Sequence, residues 1–436
     1  MDISICRFPN NTITASLKGQ SISSEKPPIE YIILLDKSGS MSCDNRFTNA
    51  IRTLICSLDF MDEQDLLSII LFGSDIERPI SRIPLTSIHK TLIQATLQSL
   101  KPDGATNLSG ALSEIHFILE EEPLNTHKKY AILLTDGEPT TGITKIADLV
   151  SHIHRFMILY PSLTLTAVGI GEGHNAPLLQ QVAQIGNGSY NIVNNLEQVA
   201  TVFGNIMGSV QTCVAQQVRL IVPSAATQLT KFTERIVGTN KEIVIGDVIA
   251  NGELVVVLEG MVENQLTVKY VPITTGVPES ILVDCLTSPS PEQLIQGKVA
   301  ILRCQLAAFV IETNRALNST SFMEQLERLK TIGSELLTRL QAEPKSLMIE
   351  FLIEECKRTL EITTAPPPPP LLRSISNQLS QHSSILSTGR GVVSSNDEDP
   401  SNSIFSSPVQ IRQATALRSS TSEPPYPDTP YPHSTK

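Results

Sequence analysis

Asp36, Ser38 and Ser40 alternate through the stretch ILLDKSGSMS, directly after a run of aliphatic residues. An acid and two hydroxyls at the tip of a buried strand contribute oxygen donors rather than packing. Thr106 supplies another hydroxyl in PDGATNLSGAL, just before an amphipathic stretch, and Asp136 another acid in TDGEPT, after a second aliphatic run. Two carboxylates and three hydroxyls from three separate loops form a set of hard oxygen ligands. Such a set suits Mg²⁺, which takes few protein carboxylates, keeps several waters and prefers octahedral geometry. Mn²⁺ and Ca²⁺ are the alternative ions. Gly39 and Gly104 allow the backbone to turn tightly around an ion.

The elements that must hold these loops are legible as alternating patterns. Between residues 29 and 210, short aliphatic runs alternate with helical periodicities, which predicts an α/β fold with a doubly wound, mostly parallel sheet. Strands are expected at 31–35, 66–72, 130–134, 163–170 and 189–193, and helices at 46–58, 87–99, 108–120, 144–156, 176–185 and 196–210. The strands are almost continuously apolar, which implies that both sheet faces are covered. In such sheets ligands collect beyond the carboxyl ends of the strands, where Asp36 and Asp136 fall. From 211 to 289 the period changes to two, with turns such as VGTNKE and IANGELV, and predicts an antiparallel β-sandwich-like module. DISICRF and TITASLKG within residues 1–28 look like two strands that join that module. Residues 290–362 predict a small helical bundle. Residues 363–436, rich in Pro, Ser and Thr and poor in large apolar residues, predict a disordered tail.

Asp36, Ser38 and Ser40, then Thr106, then Asp136, in this order, resemble the von Willebrand factor type A family and its metal-ion-dependent adhesion site. The resemblance covers roughly residues 29–210 and fills all five positions of the motif. It implies that Ser38 and Ser40 ligate the ion directly, that Thr106 does so in the ligand-bound state, and that Asp36 and Asp136 bind directly or through water. The open coordination position would then accept a Glu or Asp carboxylate of a protein partner. The downstream order of modules, and the stretch EIVIGDVIANGELVVVLEG, resemble a wider group that includes inter-alpha-trypsin inhibitor heavy chains and plant type A proteins with a RING finger. This chain shows no RING cysteine pattern and no secretory signal at its start.

Composition narrows the function further. The 436 residues carry a formal charge of −11 and no Trp, which argues against nucleic acid as a partner. Seven scattered cysteines without CxxC spacing indicate neither a zinc site nor a disulfide framework, and fit a reducing, cytoplasmic location. No apolar run approaches the length expected of a membrane span. GIGEGH resembles a glycine-rich nucleotide loop, but His174 occupies the third glycine position and the loop is expected to be a simple turn. His152 and His154, two apart on a helix, face different ways. Asp62, Glu63 and Asp65 are expected in a solvated loop. No GxSxG, HExxH or Walker motif is present, so the expectation is a non-catalytic interaction protein that binds an acidic group through Mg²⁺. The alternatives are a regulatory or adaptor subunit of a ubiquitin ligase or ATPase complex that selects clients, and an enzyme with an unrecognised metal-dependent site. The tail offers APPPPP to proline-reading proteins and, around Arg418 and Ser422, a pattern for phosphoserine-reading proteins.

Overall fold

The computed structural model describes residues 1–9, 11–21, 27–121, 127–171, 173–193, 196–319, 322–364, 368, 371–388 and 408–422. Asp2–Phe8 (β1) and Thr12–Lys18 (β2) pair as an antiparallel hairpin. The α/β part then runs through Ile29–Asp36 (β3), Arg46–Ser57 (α1), Leu66–Phe72 (β4), Ile76–Pro84 (β5), Ser87–Ser99 (α2), Leu108–Glu121 (α3), Lys128–Thr135 (β6), Ile146–Leu159 (α4), Thr164–Ile170 (β7), Ala176–Ile185 (α5), Asn187–Val193 (β8) and Leu196–Gln211 (α6).

Its sheet has the order β5-β4-β3-β6-β7-β8 and is parallel except for β5. Every residue of β3 is buried. Tyr31, Ile33 and Leu35 pack into a layer with Phe47 and Leu54 of α1 and Phe203 of α6, while Ile32 and Leu34 face α3, α4 and α5 on the other side. Burial on both faces explains the unbroken aliphatic runs. β5 lacks such a run, because as an antiparallel edge strand it carries Pro79 and Pro84 and exposes alternate residues. Asp65 does not lie in a solvated loop. It is fully buried, and its two oxygens accept from the backbone amides of Ile29 and Asp62, both at 2.9 Å, thereby anchoring the start of β3.

Cys213–Pro223 (β9), Thr227–Gln228 (β10), Thr233–Val237 (β11), Asn240–Ile249 (β12), Glu253–Glu259 (β13), Gln265–Pro272 (β14) and Glu279–Asp284 (β15) form the β module. Two antiparallel sheets, β1-β2-β13-β10 and β11-β12-β9-β14-β15, face each other across a shared core of Ile13, Leu17, Leu220, Ile243, Val256 and Val268. β2 pairs with β13 from Glu253↔Lys18 to Leu258↔Ile13, so the α/β domain is inserted between β2 and β9 of one β module.

Pro291–Leu317 (α7), Phe322–Gln341 (α8) and Leu347–Thr364 (α9) make the bundle. Contrary to the expectation that no segment would qualify, α7 is long and apolar enough by composition to cross a membrane. Within the fold it is a core helix, with Leu302, Leu306, Phe309 and Val310 buried against its neighbours. Within the tail two segments are helical, Leu372–Thr388 (α10) and Pro408–Ser422 (α11). α10 buries Leu379 and Leu386 in the bundle core, and α11 buries Leu417 in the layer under α1 and α6. The proline run, apart from Pro368, and residues 389–407 and 423–436 lie outside the described residues.

Candidate metal centre

Parallel pairing aligns the strand ends that carry the site. β3 pairs with β4 through Asp36↔Phe72 and with β6 through Leu35↔Leu134, so Thr135 and Asp136 emerge beside Asp36. The loop after β3 is joined to the loop before α3 by Gly39 N–H to the Gly104 carbonyl at 3.0 Å and Asp103 N–H to the Lys37 carbonyl at 2.5 Å. Gly104 makes this possible with a φ of +91°, where a side chain would also strike Ser74. The loop after β6 joins from the other side: Thr140 N–H donates to the Thr106 carbonyl, and Thr106 N–H to Thr140 Oγ1, both at 2.9 Å.

The five predicted residues converge. Asp36 is fully buried, with Oδ1 accepting from Ser38 N–H at 2.8 Å and Oδ2 from the Thr135 hydroxyl. Ser38 Oγ lies 3.1 Å from Ser40 Oγ, and Ser40 Oγ donates to Asp136 Oδ1 at 2.7 Å. Thr106 completes the group from the second loop. The empty Cβ position of Gly137 would lie 3.3 Å from Thr106 Oγ1, 3.8 Å from Ser40 Oγ and 4.0 Å from Asp36 Oδ2. Any side chain at residue 137 would therefore intrude among the oxygens.

Charge is concentrated here. Burial pushes the Asp36 carboxyl up to about 6, and the nearby Asp136 adds to the shift against the stabilising donors Ser38 and Thr135. Arg46, the first residue of α1, donates from Nη1 to Asp136 Oδ2 at 2.8 Å and from Nη2 to Asp44 at 3.2 Å. Its guanidinium rests against Gly171, whose φ of +71° leaves no side chain in the way. Asp136, with no side-chain exposure, thus has a fixed counter-cation on one oxygen while its other oxygen faces the hydroxyls.

The donor chemistry fits a hard divalent cation: oxygen atoms only, two of them from carboxylates, held in place by backbone ties. Among the described residues no group of three or more His, Cys, Asp or Glu comes together, so the hydroxyls are essential to any such site. The sequence pattern singled out the five residues that cluster here but not Thr135, Arg46 or Gly137. Arg46 carried a usable signal, since a cation in the first turn of a helix opposes the helix dipole and needs a local reason.

Of the GIGEGH segment, Gly169 and Ile170 end β7 and Glu172 lies outside the described residues. The His174 ring lies over Gly169, its Nδ1 bonded to the Gly171 carbonyl and its Nε2 2.7 Å from the Tyr190 hydroxyl, so the space above the glycine is filled.

A covered, mostly parallel sheet with clustered oxygens on its carboxyl-edge loops defines a doubly wound α/β domain. Residues 29–192 match the sequence model of the von Willebrand factor type A domain, and this part of the chain is such a domain. The uncharacterized protein YfbK of Escherichia coli strain K12 is 26% identical over 216 residues, covering 49% of this chain and 36% of YfbK. Inter-alpha-trypsin inhibitor heavy chain H2 of Mus musculus is 23% identical over 207 residues, covering 46% of this chain and 21% of that protein, a distant similarity. The chain therefore spans well under half the length of both relatives. A von Willebrand factor type A structure from Catenulispora acidiphila superposes with a TM-score of 0.58 at 15% identity, over 83% of this chain and 95% of that one, and so shares the fold. Type A domains generally mediate protein–protein interactions.

Proposed function

We propose that this protein holds Mg²⁺ with Asp36, Ser38, Ser40, Thr106 and Asp136, and through it binds a Glu or Asp carboxylate of a protein partner without catalysing a reaction. The observation that carries this reading is the convergence of Thr106, Ser40 and Asp36 on the space above Gly137, with Asp136 bonded to Ser40. A bound Mg²⁺ would supply an electrophilic position for an incoming acidic oxygen. The chain's own part is to orient the donors by the ties among its three loops, and to leave the edge above Gly137 clear. Arg46 holds Asp136 in one orientation from behind.

The core is built by aliphatic strands, so removing one donor empties no large cavity. Asp36→Ala is therefore expected to abolish the calorimetric signal of Mg²⁺ titration while the circular dichroism spectrum stays native. In the same preparations, wild-type protein should retain its partner in Mg²⁺ and release it in chelator. Equal Mg²⁺ binding by wild type and variant would overturn the assignment.

A further inference from the structure

A second polar cleft lies at the other end of the α/β sheet. It is a shallow, open cleft between the turn leading into β7, around Ser162 and Thr164, the start of β8 at Asn187, and one corner of the β module. These are amino-terminal strand ends, whereas the metal centre lies beyond the carboxyl ends. Strands of seven residues set the two sites roughly 20 Å apart.

Arg219 of β9 and Arg235 of β11 line this cleft. Glu242↔Arg235 and Val244↔Arg219 are facing pairs across β12, so both arginines project from the face opposite to buried Leu220 and Ile243. No acceptor among the described residues bonds Arg235, and the Nε atoms of both arginines are buried without a partner. Arg219 has only long contacts, 3.8 Å to Glu242 and 3.4 Å to Gln217. Burial lowers the pKa of Arg235 and the charge of Arg219 adds to the shift, while Glu242, opposite Arg235 on β12, opposes it. The backbone is shaped to hold this arrangement: Gln217 adopts a φ of +53° and Gly246 one of +85°, where the pairing of β9 and β12 shifts register. Bulges of this kind re-aim side chains beside functional sites.

The local charge favours an anion. Asp247 is already held by Lys128 at 2.6 Å and by the Thr164 hydroxyl at 3.0 Å, and Glu242 is shared between Arg219 and Lys269, 3.7 Å away. Of the charged residues that line the cleft, Arg219 and Arg235 outnumber the single carboxylate, Asp247, within a chain whose net charge is −11. Planar guanidinium forks match the geometry of a tetrahedral oxyanion, and with Asp247 neutralised by Lys128 the two arginines present their charge to the cleft.

We propose that this cleft binds a phosphate group, with Arg235 and Arg219 as its clamp. The test uses the full chain at low ionic strength with chelator present, so that the metal centre is silent, and inorganic phosphate as the probe. Calorimetry is expected to show one phosphate per chain, bound more tightly than acetate, and a rise in melting midpoint with phosphate. Arg235→Gln should weaken phosphate by roughly tenfold or more, the size of a lost charge-assisted hydrogen bond, and Arg219→Gln likewise. Without phosphate, Arg235→Gln should keep the circular dichroism spectrum and a cooperative melting transition of wild type, which separates loss of the site from loss of the fold. Asp36→Ala should bind phosphate as wild type does. No phosphate binding by wild type, equal binding by Arg235→Gln, or tighter binding of acetate would each overturn the proposal.

Discussion

His174 is buried in its neutral form, and its partners fix the tautomer: Nδ1–H donates to the Gly171 carbonyl, so Nε2 accepts from the Tyr190 hydroxyl. Burial accordingly pushes the imidazole down to about 4, against about 6.5 in an unfolded chain. Between these values the unfolded state binds more protons, so stability present above pH 6.5 is lost as pH falls through 4. The loss attributable to this group is on the order of 3 kcal/mol. Urea unfolding at pH 7 and at pH 4.5 should show a smaller acid-induced loss for His174→Gln than for wild type, whatever the variant costs at pH 7. Equal losses would mean that His174 is not the sensing group. At this scale the sequence revealed the clustered hydroxyls and carboxylates of the candidate site because their chemistry is unusual beside aliphatic strands. It concealed their supports, because Thr135 and Gly137 act by position alone, and His174 was legible only as a missing glycine.

At the scale of elements, the insertion of one domain into another depends on how the N-terminal hairpin seats itself. Gly19 follows β2, donates to the Gly252 carbonyl at 2.9 Å and accepts from Asn251 N–H at 2.9 Å. Its missing Cβ would collide with the backbone carbonyl of Ile249, which cannot move without breaking the end of β12. Gly19→Ala is therefore predicted to cost roughly 1–3 kcal/mol, as overpacking does. Amide exchange should accelerate first in Val255–Val257, which pair with Thr14–Ser16 of β2, and little in β3 or β6. A uniform change across both regions would show that the hairpin is not a local clasp. Long apolar strands such as β3 and β6 were legible because both their faces are covered, and α2 because Thr86 caps it, accepting from His89 N–H. β5 was not, since IERPISRIP mixes charge and proline as edge strands do.

For the whole molecule, the tail is the largest departure from the sequence reading, and the reason lies in what it buries. α10 hides Ser380, Gln381, Ser383 and Ser387 together with only a few aliphatic residues, so its composition resembles a solvated linker. Several of its polar groups find partners instead: Asn314 donates to Ser380 Oγ at 3.0 Å, and His382 meets the buried Glu355 of α9 at 2.7 Å, whereas Ser387 Oγ is buried without one. At its start Arg373 reaches Glu138, the residue after Gly137 in the third loop, at 3.3 Å. α11 crosses α6 where Gly204 and Gly208 let the two backbones touch at Ala414 and Gln410, and Arg418 donates to Thr201 rather than standing free for a phosphoserine reader. Removal of residues 365–436 is thus predicted to lower the melting midpoint. It strips Leu379, Leu386 and Leu417 from two cores, each worth roughly 1.5–3 kcal/mol, and leaves Glu355 buried without His382. Differential scanning calorimetry of the full and shortened chains decides the matter: an unchanged midpoint would mean that α10 and α11 contribute nothing to the body they cover. Mg²⁺ titration of the same pair would locate the effect, because the five donors lie outside the removed segment and should still bind the ion if the α/β core stays folded.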